Sequence, residues 1–361
     1  MDIDSLLLGA KKVKASDVHI IEGQCPYFRI QGDMKKVEIP PISTEDFSAM
    51  LDKMMPPHLH REYESQRGSD FGYQIGTEIR FRVVCYYEQG VRGMVLRLIP
   101  LEIPTIEDLE LPEVIKTIAE HTRGMVLLTG MTGSGKSTTL AAMIDYVNKR
   151  ESVRIITIED PIEYVYTSHK AIISQREVGK DVPDFNVALR QAMRMDPDII
   201  LVGEMRDIET IKVAIKAAET GHLVMSTLHT TSAVHTIQRI IGYFPESEHD
   251  LLREQLSLNL KASITQRLVK RIGGKGRLAA QEIMVVNATI AKLLAENRIP
   301  DIFGILKGRS DGMQTFDQGL ADLVRAEKIT FDEGALYCED FYAYKRFIAG
   351  IASTGDGGGI I

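Results

Sequence analysis

Cysteine is scarce: Cys25, Cys85 and Cys338 are the only three in 361 residues, far apart and odd in number. Neither a disulfide framework nor a C-x-x-C zinc site can be built from them, and they read as buried or half-buried thiols. Positive charge is not in excess. Lys and Arg number 43 against 50 Asp and Glu, a net charge of −7, which argues against a strongly electropositive surface, so no direct nucleic-acid partner is expected. No apolar stretch approaches the ~20 residues a membrane span needs. The opening Met1-Asp2-Ile3-Asp4 lacks the cationic segment of a signal peptide, and the expectation is a chain made and kept in the cytosol. What remains is 44% hydrophobic and 26% charged, enough to bury real cores. The length exceeds one ordinary core, so two domains plus an appendage are expected.

Gly130-Met131-Thr132-Gly133-Ser134-Gly135-Lys136-Ser137 reads G-x-x-x-x-G-K-S, after the apolar run Met125-Val126-Leu127-Leu128 and before a helix-like stretch from Thr138 to Tyr146. Strand, loop and helix in that order form a phosphate loop. Its glycines let backbone N–H groups turn inward, the helix presents its positive end, Lys136 reaches the β- and γ-phosphates, and the Ser137 hydroxyl suits Mg²⁺. The expected nucleotide contacts are Gly130, Thr132, Gly133, Ser134, Gly135, Lys136, Ser137 and Thr138, with ATP and Mg²⁺ as the bound species.

The fold class is α/β. Residues 1–100 read as a small α/β domain, with extended pieces at Val18 to Ile21 and Phe28 to Ile30 and a helix from Thr44 to Met54. Alternating strands follow at Phe71, Tyr73, Ile75 and at Ile79, Phe81, Val83, Cys85, Tyr87. Residues 101–113 read as a proline-marked hinge. From 114 to 286 strands and helices alternate, with buried strands at Met125 to Leu128, Arg154 to Ile158, Ile199 to Val202 and Leu223 to Thr227; such alternation implies a parallel sheet whose active edge lies at the strands' C-terminal ends. Residues 287–361 read as mainly helical to Tyr344, with Ser353 to Gly359 as a frayed tail.

Each core strand delivers residues suited to polyphosphate chemistry. Ile155 to Ile158 is followed by Glu159, Asp160 and Glu163, carboxylates able to hold Mg²⁺ with Ser137, directly or through its waters. Asp196 to Gly203 has the layout of a Walker B segment and delivers Glu204, expected to orient the attacking water, a role that would otherwise pass to Glu159 or Glu163. Leu223 to Leu228 delivers His229, read as a γ-phosphate or metal-water sensor, with His222 at the strand's other approach. If strands 79–88 and 91–99 form a hairpin about Gln89-Gly90, Arg82 lies opposite Arg97. That like-charge pair is destabilising unless an anion lies between the two, and guanidinium groups suit a polyphosphate. Arg190 and Arg194, read as i, i+4 on one helix face, are the alternative cations, facing a neighbouring subunit's nucleotide.

Together these segments resemble the secretion-superfamily ATPases, and among them the type IV pilus retraction ATPases of the PilT/PilU kind. The landmarks are Ala15-Ser16-Asp17-Val18-His19-Ile20, the phosphate loop, the aspartate box Ile156 to Glu163, the Walker B segment through Glu204-Met205-Arg206-Asp207, and the histidine box from Ala218 through His222 to His229-Thr230. The resemblance implies a PAS-like first domain, a RecA-like second domain and a ring of six chains, in which Arg82 and Arg97 clamp the triphosphate. It further implies a cytoplasmic homohexamer at the cytoplasmic face of the inner membrane, docked beneath a PilC-like platform protein and using ATP hydrolysis to disassemble pili for twitching motility. Assembly ATPases of the PilB type carry a tetracysteine zinc site that this chain lacks. Gly312 to Gln318 resembles PilU and Asp196 to Asp207 resembles PilT, while Ala288 to Leu294 departs from the usual PilT motif. A PilU-like subunit dependent on a paralogous retraction ATPase is therefore the first alternative, ahead of a pilus-assembly or type II secretion ATPase and of a nucleic-acid translocase.

Overall fold

The computed structural model describes residues 2–30, 32–76, 79–99, 102–274 and 276–351; the expected tail at Ser353 to Gly359 lies outside them. The chain divides into two compact units, one of Met1–Glu102 with Pro161–Val165, the other of Ile103–Asp160 with Tyr166–Ile361.

In the first unit, β1 (Asp17–Ile21), β2 (Tyr27–Ile30), β3 (Asp33–Lys36), β4 (Gly68–Ile75), β5 (Ile79–Glu88) and β6 (Val91–Ile99) form one sheet in the order β3-β2-β1-β6-β5-β4. Every pairing is antiparallel. The alternation in β5 decides which face is covered: Ile79, Phe81, Val83 and Cys85 are all buried, and burial pushes the Cys85 thiol up to about 12. The helices are α1 (Ile3–Lys12), α2 (Thr44–Met54) and α3 (His60–Gln66). Ser43 starts α2 by accepting the Asp46 N–H, the usual way an exposed first turn is satisfied. Asp2 does the same for α1, which buries Ile3, Leu6, Leu7 and Ala10, a stripe at helical spacing.

The second unit is built from α4 (Val114–Ala119), β7 (Gly124–Thr129), α5 (Lys136–Arg150), β8 (Arg154–Glu159), β9 (Ile172–Glu177), α6 (Phe185–Ala192), β10 (Ile199–Val202), α7 (Ile208–Glu219), β11 (Leu223–Leu228), α8 (Ala233–Gly242) and α9 (His249–Asn259). Then come β12 (Leu260–Lys270), β13 (Arg277–Val285), α10 (Ala288–Ala295), α11 (Ile302–Lys307), α12 (Phe316–Arg325), α13 (Phe331–Ala335) and α14 (Phe341–Ile348). The sheet order is β13-β12-β7-β11-β10-β8-β9. Only β13 runs antiparallel to its neighbour.

Both faces of this sheet are covered, as continuous apolar strands require. Met125 and Leu127 join one core with Ile156, Ile200 and Val224, while Val126 and Leu128 join the other with Ile155, Ile199 and Met225. Ile106 and Leu111 are buried in this second core, so most of the stretch expected to be a hinge packs within the second unit. The helical residues after 287 do not stand apart either. Helices α10 and α11 pack on the first core through Ile290, Leu294, Ile302 and Leu306, and Phe316, Leu320 and Tyr344 close over Val269 and Leu278 of the β12–β13 hairpin.

Candidate nucleotide site

The strand order sets out the site. β7, β11, β10 and β8 are successive parallel neighbours, so the segments leaving their C-terminal ends line one edge: the phosphate loop, His229, Glu204 and Glu159. At ~4.8 Å per strand, the β7 and β10 exits are roughly 10 Å apart, the scale of a nucleotide's phosphate tail and its attacking water.

The loop is already closed around its lysine. Lys136 is buried as the first residue of α5, with Gly135 in the left-handed conformation ahead of it. Its Nζ donates to the Gly130 carbonyl at 2.8 Å and the Met131 carbonyl at 3.1 Å. Thr132 and Gly133 are exposed, while Ser137 and Thr138 are half-buried in the first turn of α5. These are the backbone and hydroxyl groups a phosphate would meet at a helix N-terminus.

Glu204 lies two residues beyond β10, in a small cavity of about 100 Å³ shared with Met205, Arg206, Leu228, His229, Arg239 and Tyr243. Arg206 donates to one carboxylate oxygen at 2.7 Å, and His229 Nε2 lies 3.2 Å from the other. Burial alone would raise the Glu204 carboxyl, but the Arg206 guanidinium and, more weakly, His229 hold it below the ordinary carboxylate range. The group is thus an anion with a fixed orientation, suited to hold a water rather than to donate a proton.

The expected carboxylate cluster is distributed differently. Glu159 is the last residue of β8, buried, accepting from Thr157 Oγ1 at 2.6 Å and from Gln175 Nε2 at 3.3 Å. Asp160 is exposed, and Glu163 falls with Pro161–Val165 in the first unit, 3.9 Å from Arg82. Among the described residues no three His, Cys, Asp or Glu side chains converge as a metal cage. His222 is at the wrong end of its strand for the site. It precedes β11, whose six residues separate it from His229 by roughly 23 Å at ~3.3 Å per residue, and its Nδ1 donates to the Ala217 carbonyl at 2.9 Å.

Arg190 and Arg194 do not share a helix. Helix α6 ends at Ala192 and Arg194 lies in the turn beyond, because Asp196 precedes Pro197 and is held in the left-handed region at φ 54°, where a helix cannot continue. Arg190 is exposed, 3.7 Å from Glu209.

In the first unit the hairpin register is as expected, with Arg82 directly opposite Arg97. The like-charge conflict is relieved differently. Asp70 on β4 takes the Arg82 Nε and a terminal nitrogen at 3.0 and 2.6 Å, and Asp17, opposite Arg97 on β1, accepts from its Nε at 2.9 Å. Burial would raise the Asp17 carboxyl, yet the hydrogen bonds from Arg97 and Ser16 hold it below the ordinary range. Removing the two arginines therefore has unequal effects on stability. Arg97→Ala leaves a 7% exposed carboxylate with only Ser16 and the more distant Arg29 as partners and is expected to lower apo stability by about 1–2 kcal/mol. Arg82→Ala uncovers the 36% exposed Asp70 and should change it by about 0.5 kcal/mol or less. Chemical denaturation of the two apo variants checks this; equal losses would mean that Asp17 does not depend on Arg97.

Arg206, Arg239 and Gln266 carry parts of the site that pattern reading gave no role. Arg239 stacks over the ring of Tyr243, the residue that caps the C-terminal end of α8, at 4.9 Å, and their i, i+4 spacing was the available signal.

The family model described as "Type II/IV secretion system protein" matches residues 1–297. The chain belongs to this family of secretion-system ATPases. Among its relatives, the Pseudomonas aeruginosa protein named "Type IV pilus retractation ATPase PilT" is 46% identical over 325 residues, 90% of this chain and 94% of that one. The same organism's "Type IV pilus ATPase PilU" is 38% identical over 340 residues, 94% and 89% of the two chains. The crystal structure titled as the pilus retraction motor PilT with bound ADP superposes with a TM-score of 0.89 at 40% identity, covering 96% of this chain and 99% of that one.

Proposed function

We propose that this chain is a Mg²⁺-dependent ATPase that forms a homohexameric ring and powers retraction of type IV pili, and with it twitching motility. The observation that carries the reading is the edge on which a closed phosphate loop, Glu204 and His229 leave neighbouring parallel strands. The greater identity to PilT than to PilU over almost the whole chain supports a retraction motor. Lys136 and the loop N–H groups hold the phosphates, Glu204 orients water with His229 and Arg206 fixing it, and Arg82 and Arg97 supply cationic charge. Ser137, with Glu159 and Asp160 through waters, offers the hard oxygen donors that suit Mg²⁺, which when bound neutralises charge on the β- and γ-phosphates. The ring would work at the cytoplasmic face of the inner membrane against a PilC-like platform protein.

The accessory PilU-like reading rests on the likeness to PilU of Gly312 to Gln318 and the helices that follow, through Phe341–Ile348. Turnover separates the two. The purified chain is expected to hydrolyse ATP with Mg²⁺ and not with EDTA, and removing its gene from a piliated host should leave pili on the surface with twitching lost. A folded chain that binds ATP without turnover supports the accessory reading, and unchanged twitching rejects a retraction role.

A further inference from the structure

Both ends of the phosphate loop press against one residue that no motif includes. A Cβ on Gly130 would lie 2.4 Å from the Gln266 carbonyl oxygen, and one on Gly135 would lie 2.8 Å from the Gln266 Nε2. These glycines are demanded by this close approach as much as by their backbone angles. Gln266 follows Thr265, where the pairing of β12 with β7 ends opposite Thr129, so the chain leaving β7 at Gly130 meets it at once.

The Gln266 side chain is 1% exposed and makes three hydrogen bonds. Its Nε2 donates to the Ser134 carbonyl at 2.7 Å, while Oε1 accepts from Thr139 Oγ1 at 2.9 Å and from Gln281 Nε2 at 2.8 Å. Because a carbonyl only accepts, the Ser134 bond fixes which way the amide faces. Ser134 C=O and Gly135 N–H belong to one planar trans peptide and point in opposite directions. Anchoring the carbonyl on Gln266 therefore turns the Gly135 N–H away from Gln266. Thr139 ties the first turn of α5 to the same amide, and Gln281, the cross-strand partner of Gln266 on β13, backs it.

We propose that Gln266 is a positioning residue for nucleotide binding, a strut that holds the Ser134–Gly135 peptide with its N–H directed at a nucleoside polyphosphate, and that Gln281 sets the orientation of the strut. This rests on the reading of residues 130–137 as the phosphate site.

The test uses the full chain with ADP and ATP as probes. Gln266→Met removes the donor at similar volume and is expected to lower ADP affinity about tenfold, the effect of one lost positioning hydrogen bond. The KM for ATP should rise by the same factor, with kcat changed by about twofold at most. Gln281→Met should cause a smaller loss, and the double variant should be scarcely worse than Gln266→Met, because the two act in series. A folded Gln266→Met that binds ADP like the wild type, or that loses kcat at constant KM, overturns the proposal. If Gln266→Met does not fold, Gln281→Met decides alone, and unchanged ADP affinity overturns it. Absence of ADP binding by the wild-type chain would instead strike the phosphate-loop reading, and the strut with it.

Discussion

Glu204→Gln is expected to bind ATP as the wild type does and to lose roughly 10²–10⁴-fold in turnover, the range associated with a positioned acid–base group. The amide keeps the size of the side chain and can still accept from Arg206, now 2.7 Å away, but it no longer pairs a full negative charge with a water proton. Loss in kcat without loss of affinity marks an interaction made in the transition state. Single-turnover hydrolysis on protein preloaded with ATP is the measurement. A variant that hydrolyses at the wild-type rate would move the role to Glu159, whose carboxylate is already held by Thr157 and Gln175.

Lys136→Ala should weaken ADP and ATP binding by about 10²-fold or more, as expected for deleting charge-assisted hydrogen bonds worth ~1.5–3 kcal/mol each. The fold should survive, because Gly130 and Met131 lose a side-chain donor to their carbonyls while the strand and helix flanking them stay packed. Calorimetry on the folded variant checks this. Unchanged affinity would remove the phosphate-loop assignment.

How much of this was legible in the sequence varies with the physics of each element. Helix α2 and strand β10 stand at Thr44–Met54 and Ile199–Val202, the bounds their patterns implied, because a serine cap marks one and a fully apolar run the other. The register that sets Arg82 against Arg97 followed from turn position alone. Their counterions did not, since Asp17 and Asp70 come from strands distant in sequence. Strand β9 was missed because it is an edge strand with Ile172 61% exposed, which weakens alternation. The β12–β13 hairpin was missed for the opposite reason: Gln266, Gln281 and Glu282 are buried within it, so its inward positions do not all read as apolar. Glu282 accepts the Ala233 N–H on its Oε1 at the start of α8, and burial pushes its carboxyl up to about 7. Buried polar residues of this kind carry tertiary information that periodicity cannot display.

The two hairpin arginines differ in what they must give up. Arg97 uses Nε on Asp17 while its side chain remains 71% exposed, so its terminal nitrogens could take an anion without breaking that bond, with Asp17 as the mount. Arg82 has Nε and a terminal nitrogen on Asp70, with its other terminal nitrogen 3.9 Å from Glu163. It can reach an anion only by leaving a carboxylate. Such a side chain is a switch with an ion pair at either end of its throw, and exchanging one anionic partner for another avoids an unpaired intermediate resting state. If the two arginines meet a polyphosphate as proposed, Arg97 would capture it and Arg82 would register it, and the hairpin would then report occupancy as well as supply charge.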